Sequence, residues 1–341
     1  MRAAALAGLL LLVAVGASVG RASTRYELVT TDLVGEISAD GDNVAVNVLT
    51  GINCDAISVW NPVTGARRTV KRTGYCDDEG ESSDLALAGT RVLWQDGFSA
   101  NTYSDYEVYT ADVRVPRRPA PLFSYEYTHD DYANQYYGPS AGPFAGHGSL
   151  LVMATDVEHV SAPDTNARLW RIDGRSKTLI RRGLDLTALS VDGERIAGVV
   201  KAGPVVLLDA RGRTLRTFRP SLKTTRVVVL QGSELVAAGG GRIVVFDFRS
   251  GRVKASRALP LHTSFQDYAN GLAALVHDNS IHVFRVSDGK DALVARTGGK
   301  GLESAYISAQ IEPAGLSYTY SNDAHGYVVF VPWRELQQKL R

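Results

Sequence analysis

The sequence predicts an all-β protein made of seven repeats of a four-stranded unit. Three observations carry that reading. The chain has 341 residues, enough for two ordinary domains or one large β domain. A turn-plus-strand phrase recurs at Gly41, Gly89, Gly148, Gly193, Gly232, Gly271 and Gly315, as in "ADGDNVAVNV", "VDGERIAGVV" and "LQGSELVAAGG". Helical periodicity is confined to the tail, "WRELQQKLR".

Each unit reads the same way. A short β-rich run, such as "LTALSVDG" or "RVVVLQG", leads into the turn glycine and a second strand. A third run follows: "AISVWN", "YEVYTAD", "RLWRID", "VVLLDA", "IVVFDF", "IHVFRV" and "GYVVFVP". A tight turn and a basic fourth run then close the unit, as in "DARGRTLRTF" and "DFRSGRVKAS". Four short strands per unit of about 40 residues is the signature of a β-propeller. Seven blades fit the count, with six or eight as alternatives. The last unit runs into the tail without a fourth strand, while "YELVTT", Tyr26 to Thr31, has no hairpin partner. Pairing that segment with Gly326 to Pro332 completes the last blade and closes the ring.

Over essentially the whole mature chain, this pattern resembles the broad propeller superfamily of WD-repeat-like, TolB-like and quinoprotein-like domains. The resemblance is one of architecture. The Trp-Asp dipeptide of true WD repeats is missing, and "RLWRID" is the nearest approach. It implies the fold and leaves function to the loops.

The first 22 residues read as a signal peptide. Arg2 is a short positive n-region, Ala3 to Val15 is apolar, and Gly20-Arg21-Ala22 offers a cleavage site. An uncleaved anchor is the alternative, because the uncharged run from Ala3 to Gly20 approaches the length of a membrane span. The expected product, residues 23–341, is a single exported propeller, periplasmic or extracellular, with a short helical tail and no further membrane segment. Cys54 and Cys76 are the two cysteines of the chain. In an oxidising compartment they are expected to pair, closing a loop that contributes roughly 3 kcal/mol by the chain-entropy model.

In a four-stranded blade, the second-to-third connections and the between-blade connections open on one face. There the first three units carry long insertions: "LTGINCD", "GFSANTYSD", "VEHVSAPDTN", "KRTGYCDDEGESSD" and the segment Pro121 to Gly146. In units four to six the second-to-third connections shrink to "KAG", "GG" and "DN". Both cysteines fall on the elaborated face. So does "YEYTHDDYANQYYGP", Tyr125 to Pro139, which shows no strand or helix pattern and reads as a surface loop. Eight of the fifteen tyrosines lie between Tyr103 and Tyr137. Tyrosine combines an apolar ring with a polar tip and is enriched where proteins bind others. The candidate ligand- or partner-binding residues are Tyr103, Tyr125, Tyr127, His129, Asp130, Asp131, Tyr132, Tyr136 and Tyr137. The alternative is that these rings fold inward and pack the loops.

No catalytic residue, metal or cofactor is assigned. His129, Asp130 and Asp131, with Asp156, Glu158 and His159 on a neighbouring loop, match no metal-loop spacing and read as solvated polar groups. There is no G-x-S-x-G elbow, P-loop or H-E-x-x-H, and "GHGSL" around Ser149 lacks the second glycine of an elbow. The first functional reading is a monomeric, non-catalytic binding or scaffold module for a protein or glycan. The second is a periplasmic or extracellular propeller hydrolase, lactonase-like or metal-dependent, whose scattered carboxylates sit at the channel mouth.

Charge is segregated. Tyr26 to Val160 carries 8 basic and 20 acidic residues, net −12, whereas Arg168 to Arg257 carries 19 and 7, net +12. Arginines on the outermost strands, as in "RTLRTFR" and "RVKASR", read as edge charges against aggregation. Weak docking to an anionic envelope surface is the alternative. Nucleic acid is not expected of an exported chain without an overall basic balance. Mass spectrometry of the exported protein, run without reductant, should find Cys54 joined to Cys76; alkylatable thiols there would overturn both the compartment and the loop placement.

Overall fold

The computed structural model describes residues 26–30, 33–51, 54–72, 80–99, 103–115, 118–130, 135–136, 140–156, 164–201, 203–297, 307–322 and 325–341. The expected leader and Cys76 lie outside these residues, as do Asp131, Tyr132, Tyr137, Glu158 and His159. Among the described residues, no helix is long and apolar enough to cross a membrane.

The N-terminal strand is Glu27–Thr30 (β1). Blade one is Leu33–Asp40 (β2), Asn43–Gly51 (β3), Cys54–Trp60 (β4) and Arg67–Arg72 (β5). Blade two is Gly80–Ala88 (β6), Arg91–Ser99 (β7), Tyr103–Asp112 (β8) and Ala120–Asp130 (β9), with Gln135–Tyr136 (β10) as a fifth strand. Blade three is Ser140–His147 (β11), Leu150–Asp156 (β12), Arg168–Asp173 (β13) and Ser176–Arg182 (β14). Blade four is Leu186–Asp192 (β15), Arg195–Val200 (β16), Val205–Asp209 (β17) and Thr214–Phe218 (β18). Blade five is Val227–Gln231 (β19), Glu234–Gly239 (β20), Arg242–Asp247 (β21) and Val253–Ala258 (β22). Blade six is Thr263–Ala269 (β23), Leu272–His277 (β24), Ser280–Arg285 (β25) and Lys290–Arg296 (β26). Blade seven is Ala309–Glu312 (β27), Gly315–Ser321 (β28) and Gly326–Pro332 (β29), completed by β1. The chain is thus a seven-bladed β-propeller of four-stranded antiparallel sheets.

Closure runs as the sequence predicts. Glu27 pairs with Val329 and Thr30 with Gly326, and the Thr30 hydroxyl donates to the Gly326 carbonyl at 3.2 Å. The repeat glycines make the hairpins between first and second strands. Six of them are left-handed, with φ from 57° to 85°, the backbone of primed hairpin turns that a Cβ disfavours. Gly315 departs from the pattern because its turn is Pro313-Ala314 and the glycine already belongs to β28.

Apolar side chains on both faces of each sheet are buried by the adjoining blades. Ala45 and Ile57 of blade one pack with Leu87, Val92 and Trp94 of blade two. Val34, Val46 and Trp60 meet Val328 and Phe330 across the closing seam. The tail forms a helix, Trp333–Lys339 (α1), which buries Leu336 against blades six and seven.

Polar seams follow a rule. A side chain at the end of one inner strand accepts a backbone N–H from the next blade. Ser38 Oγ accepts from Leu87 N at 2.9 Å, and Ser190 Oγ from Leu230 N at 2.9 Å. Two residues on, Asp40 Oδ2 accepts from Gly89 N, and Asp192 Oδ2 from Gly232 N at 2.6 Å. His147 Nδ1 takes Gly193 N, Gln231 takes Asn270 N, Asp267 takes Ile311 N, and Gln310 takes Ala39 N of blade one. On the outer rim, arginines do a similar job. Arg68 Nη1 donates to the Val113 carbonyl at 2.8 Å, Arg216 Nη2 to Arg249 at 2.8 Å, and Arg257 Nη2 to Ser287 at 2.6 Å. Those outer-strand arginines clasp the next blade, so the reading of them as simple edge charges is revised.

Asp40 is 5% exposed and also accepts Gly148 N at 2.7 Å. Asp40→Ala leaves two part-buried donors without their acceptor and should cost about 1–3 kcal/mol in denaturant unfolding. Asp42→Ala, exposed in the same turn, should stay within about 0.5 kcal/mol.

Candidate functional site

Blade two is the exceptional blade. Its strands β7, β8 and β9 run 9, 10 and 11 residues, against 5 to 7 in blades four to six. The segment expected to be a structureless loop is in part sheet: Tyr125 to Asp130 complete β9, and Gln135–Tyr136 folds back on it, Gln135 opposite Asp130 and Tyr136 opposite His129. The misreading has a physical cause. Alternation here is between aromatic and polar residues, so no aliphatic period marks the strand.

Aromatic rings brace this sheet at its base. Tyr106 and Tyr125 stack with centroids 5.1 Å apart, and Phe123 lies 5.6 Å from Tyr125. The Tyr125 hydroxyl donates to Gln95 Oε1 at 3.0 Å, and the residue is 6% exposed. Tyr125 is therefore a packing residue and is withdrawn as a contact residue. Trp94 stacks on Tyr109 at 5.8 Å, whose hydroxyl donates to Glu107; burial, then Glu107, pushes the Tyr109 phenol far up. Lys71 of blade one pairs with Asp96, and Lys177 of blade three sits 4.5 Å from the Phe123 ring while donating to the Leu122 carbonyl at 2.5 Å. Blade two is thus held on both flanks.

The second candidate is the central channel, a cavity of about 890 Å³ walled by all seven inner strands. At its hairpin end His147 stands between two carboxylates, Nε2 3.6 Å from Asp40 and Nδ1 3.7 Å from Asp192. Glu312 faces the same space. Burial, then the charges of Asp267, Asp40 and Asp192, pushes its carboxyl up to about 9. Burial raises Asp267 to about 7 although Ile311 and Tyr268 N–H groups offset it. Asp84 is raised to about 6 by burial and then by Glu36, which burial also raises. Among the described residues no cluster of three or more His, Cys, Asp or Glu could hold a metal ion. The channel hydroxyls of Ser38 and Ser190 are taken up by backbone N–H groups. What the channel can do is hold protons on raised carboxyls and bind blade to blade.

Two solved structures are similar to the chain in fold. One is Sqt1 of Saccharomyces cerevisiae, at 12% identity and TM-score 0.49, over 89% of this chain and 96% of that one. The other is BamB from Moraxella catarrhalis, at 12% identity and TM-score 0.46, over 88% and 84%. No family model and no curated protein matches the chain in sequence. The seven-bladed ring rests on the strand pairing itself rather than on these likenesses.

The predicted site residues divide by position. Tyr103 lies in β8 opposite Thr128, and Tyr127 lies opposite Ser104. His129, Asp130 and Tyr136 sit where β10 meets β9. These five therefore share the end of blade two remote from its hairpin. Sequence reasoning missed the channel acids. Their signal was present: Asp40, His147, Asp192 and Gln231 each stand immediately before a repeat glycine.

The raised carboxyls fix a pH dependence. Burial and the neighbouring acids lift the Glu312 carboxyl from its ordinary value of 4.5 to about 9, so the folded state holds a proton that the unfolded chain releases. That contribution is complete below pH about 4.5 and is lost as pH rises towards 9. Denaturant unfolding at pH 5, 7 and 9 should show falling stability, and Glu312→Gln should flatten the fall.

Proposed function

We propose that the chain is an exported, non-catalytic propeller that binds a protein or glycan through the tyrosine-rich end of blade two. One observation carries the reading: a blade lengthened and given a fifth strand, β10, in a ring whose other blades keep four. Loops and extensions on a rigid scaffold are where proteins place function. Tyr103, Tyr127 and Tyr136 belong to that end, and Tyr132 and Tyr137 adjoin it in the chain. The expected Cys54–Cys76 bond would brace the neighbouring loops of blades one and two on the same face. The hydrolase alternative is less favoured because Ser38, Asp40, Ser190, Asp192 and Asp267 of the channel accept backbone N–H groups of neighbouring blades. Export and a monomeric state belong to this reading as well, on the N-terminal sequence and the closed ring.

Thermal-shift screening against oligosaccharides and candidate proteins tests it, since a ligand of the native state raises its melting temperature. Replacing Tyr127, Tyr132, Tyr136 and Tyr137 together by alanine should abolish the shift while moving the melting temperature of the free protein by only a few degrees. Tyr125→Ala should instead cost about 3–5 kcal/mol of stability. A fourfold variant that fails to fold would make those rings packing residues too.

A further inference from the structure

On the same face, but over blades four and five, the ring carries a second surface that no site described so far uses. The connection between those blades, residues 219–226, displays Arg219, Lys223 and Arg226, all exposed. Leu222 in its middle packs against the core and anchors it. It lies across the Gly240-Gly241 turn of blade five: Arg226 N donates to the Ala238 carbonyl at 2.9 Å, and a Cβ on Gly240 would stand 3.4 Å from that of Lys223. Exposed Arg242 follows the turn and donates to Ser256 Oγ at 3.1 Å. Between residues 203 and 262 the acidic residues are Asp209, Glu234 and Asp247. All three stand at the opposite end of their blades, Asp209 and Asp247 in the turns before the outer strands and Glu234 beside a first hairpin. The four cations face solvent, and among the described residues none of them is in an ion pair.

Beside them stands the most exposed of the large hydrophobic side chains described. Leu261 is 82% exposed, in the connection that leaves blade five. The connection is tied to the glycine turn, where Leu259 N donates to the Gly241 carbonyl at 2.9 Å. It is also braced internally: Thr263 Oγ1 donates to the Pro260 carbonyl at 2.7 Å, and His262 is held at φ 58°. A backbone held in the left-handed region by a β-carbon-bearing residue is a strained choice, and here it keeps an apolar tip in water.

We propose that this surface docks on an anionic lipid membrane, with Arg219, Lys223, Arg226 and Arg242 at the headgroups and Leu261 inserted among the acyl chains. The cations alone would suit any polyanion. The braced leucine selects lipid, because an apolar tip gains nothing from a hydrated polymer. Each basic residue near an anionic leaflet contributes roughly fivefold in affinity, and burying one leucine roughly ten- to hundredfold, which gives reversible attachment. The opposite charges of the two halves, −12 and +12, would tilt the ring, turning blades four and five to the membrane and acidic blade two away from it. The inference is independent of the aromatic-end reading.

Co-sedimentation with vesicles of phosphatidylcholine, alone or with about one-third phosphatidylglycerol, tests it. Purified protein should bind the anionic vesicles, leave the neutral ones, and detach at about 0.5 M salt, where screening is within a few ångströms. Leu261→Asp should weaken binding at least about tenfold with the melting temperature unchanged. Replacing Arg219, Lys223, Arg226 and Arg242 together by glutamine should abolish it. Absence of binding, equal binding to neutral vesicles, or indifference to Leu261→Asp would each overturn the proposal. So would binding of soluble polygalacturonate as tight as that of vesicles, which would make the surface a site for acidic polysaccharide.

Discussion

Every blade of this ring depends on its neighbours, because each sheet is apolar on both faces and neither face can be left in water. The pairing of Glu27–Thr30 with Gly326–Val329 is therefore the contact on which the others rest. Without it, blade seven lacks its outer strand and the Tyr26, Leu28 and Phe330 side chains at the seam with blade one lose their packing. The same seam is tied further inward, where Val34 N donates to Ser321 Oγ at 3.0 Å and the Thr319 hydroxyl to the Gly35 carbonyl at 3.2 Å. Closure is distributed from the channel to the rim.

The polar bonds between blades explain how a ring of similar sheets keeps one register. Apolar faces slide easily against each other, since dispersion and water exclusion have little direction. A carboxylate or amide aimed at one particular N–H does not. Asp40, Asp192 and Gln231 repeat a single geometry at the hairpins of blades one, four and five, and each fixes how far one blade is turned against the next. The acidity of the channel is a by-product of that device. The acceptors that suit a backbone N–H are oxygens; burial at the axis raises both Glu312 and Asp267, and the neighbouring acids Asp267, Asp40 and Asp192 push Glu312 further.

Most of the fold was legible in the sequence because its signals are local and repeated. A left-handed glycine such as Gly41 or Gly193 marks the first hairpin of six blades, and "RIVVFD" or "RLWRID" marks a third strand by alternation. Even the closing strand could be found, as the one run left without a partner. The segment from Tyr125 failed for a reason that is equally physical. Period-two alternation is read from aliphatic residues on one face, and this segment alternates aromatic with polar residues instead. Tyr125 itself shows the limit: nothing in "YEYTHDD" distinguishes a ring that stacks on Tyr106 from the next tyrosine two residues on. The roles of Arg216 and Arg257 were also hidden, because their acceptors are backbone carbonyls 33 and 30 positions away, which carry no sequence signal.

The closing strand also governs when this protein can exist as a ring. Thr30 and its acceptor Gly326 are separated by 296 positions, so β1 is made among the first elements and waits for nearly the last. During synthesis, every intermediate length of chain carries an unpaired strand β1 and an open run of blades. Such long-range pairings are intrinsically slow. Completion is thus an all-or-none event tied to the arrival of the final strand, and the chain stays pliable until its own end has emerged.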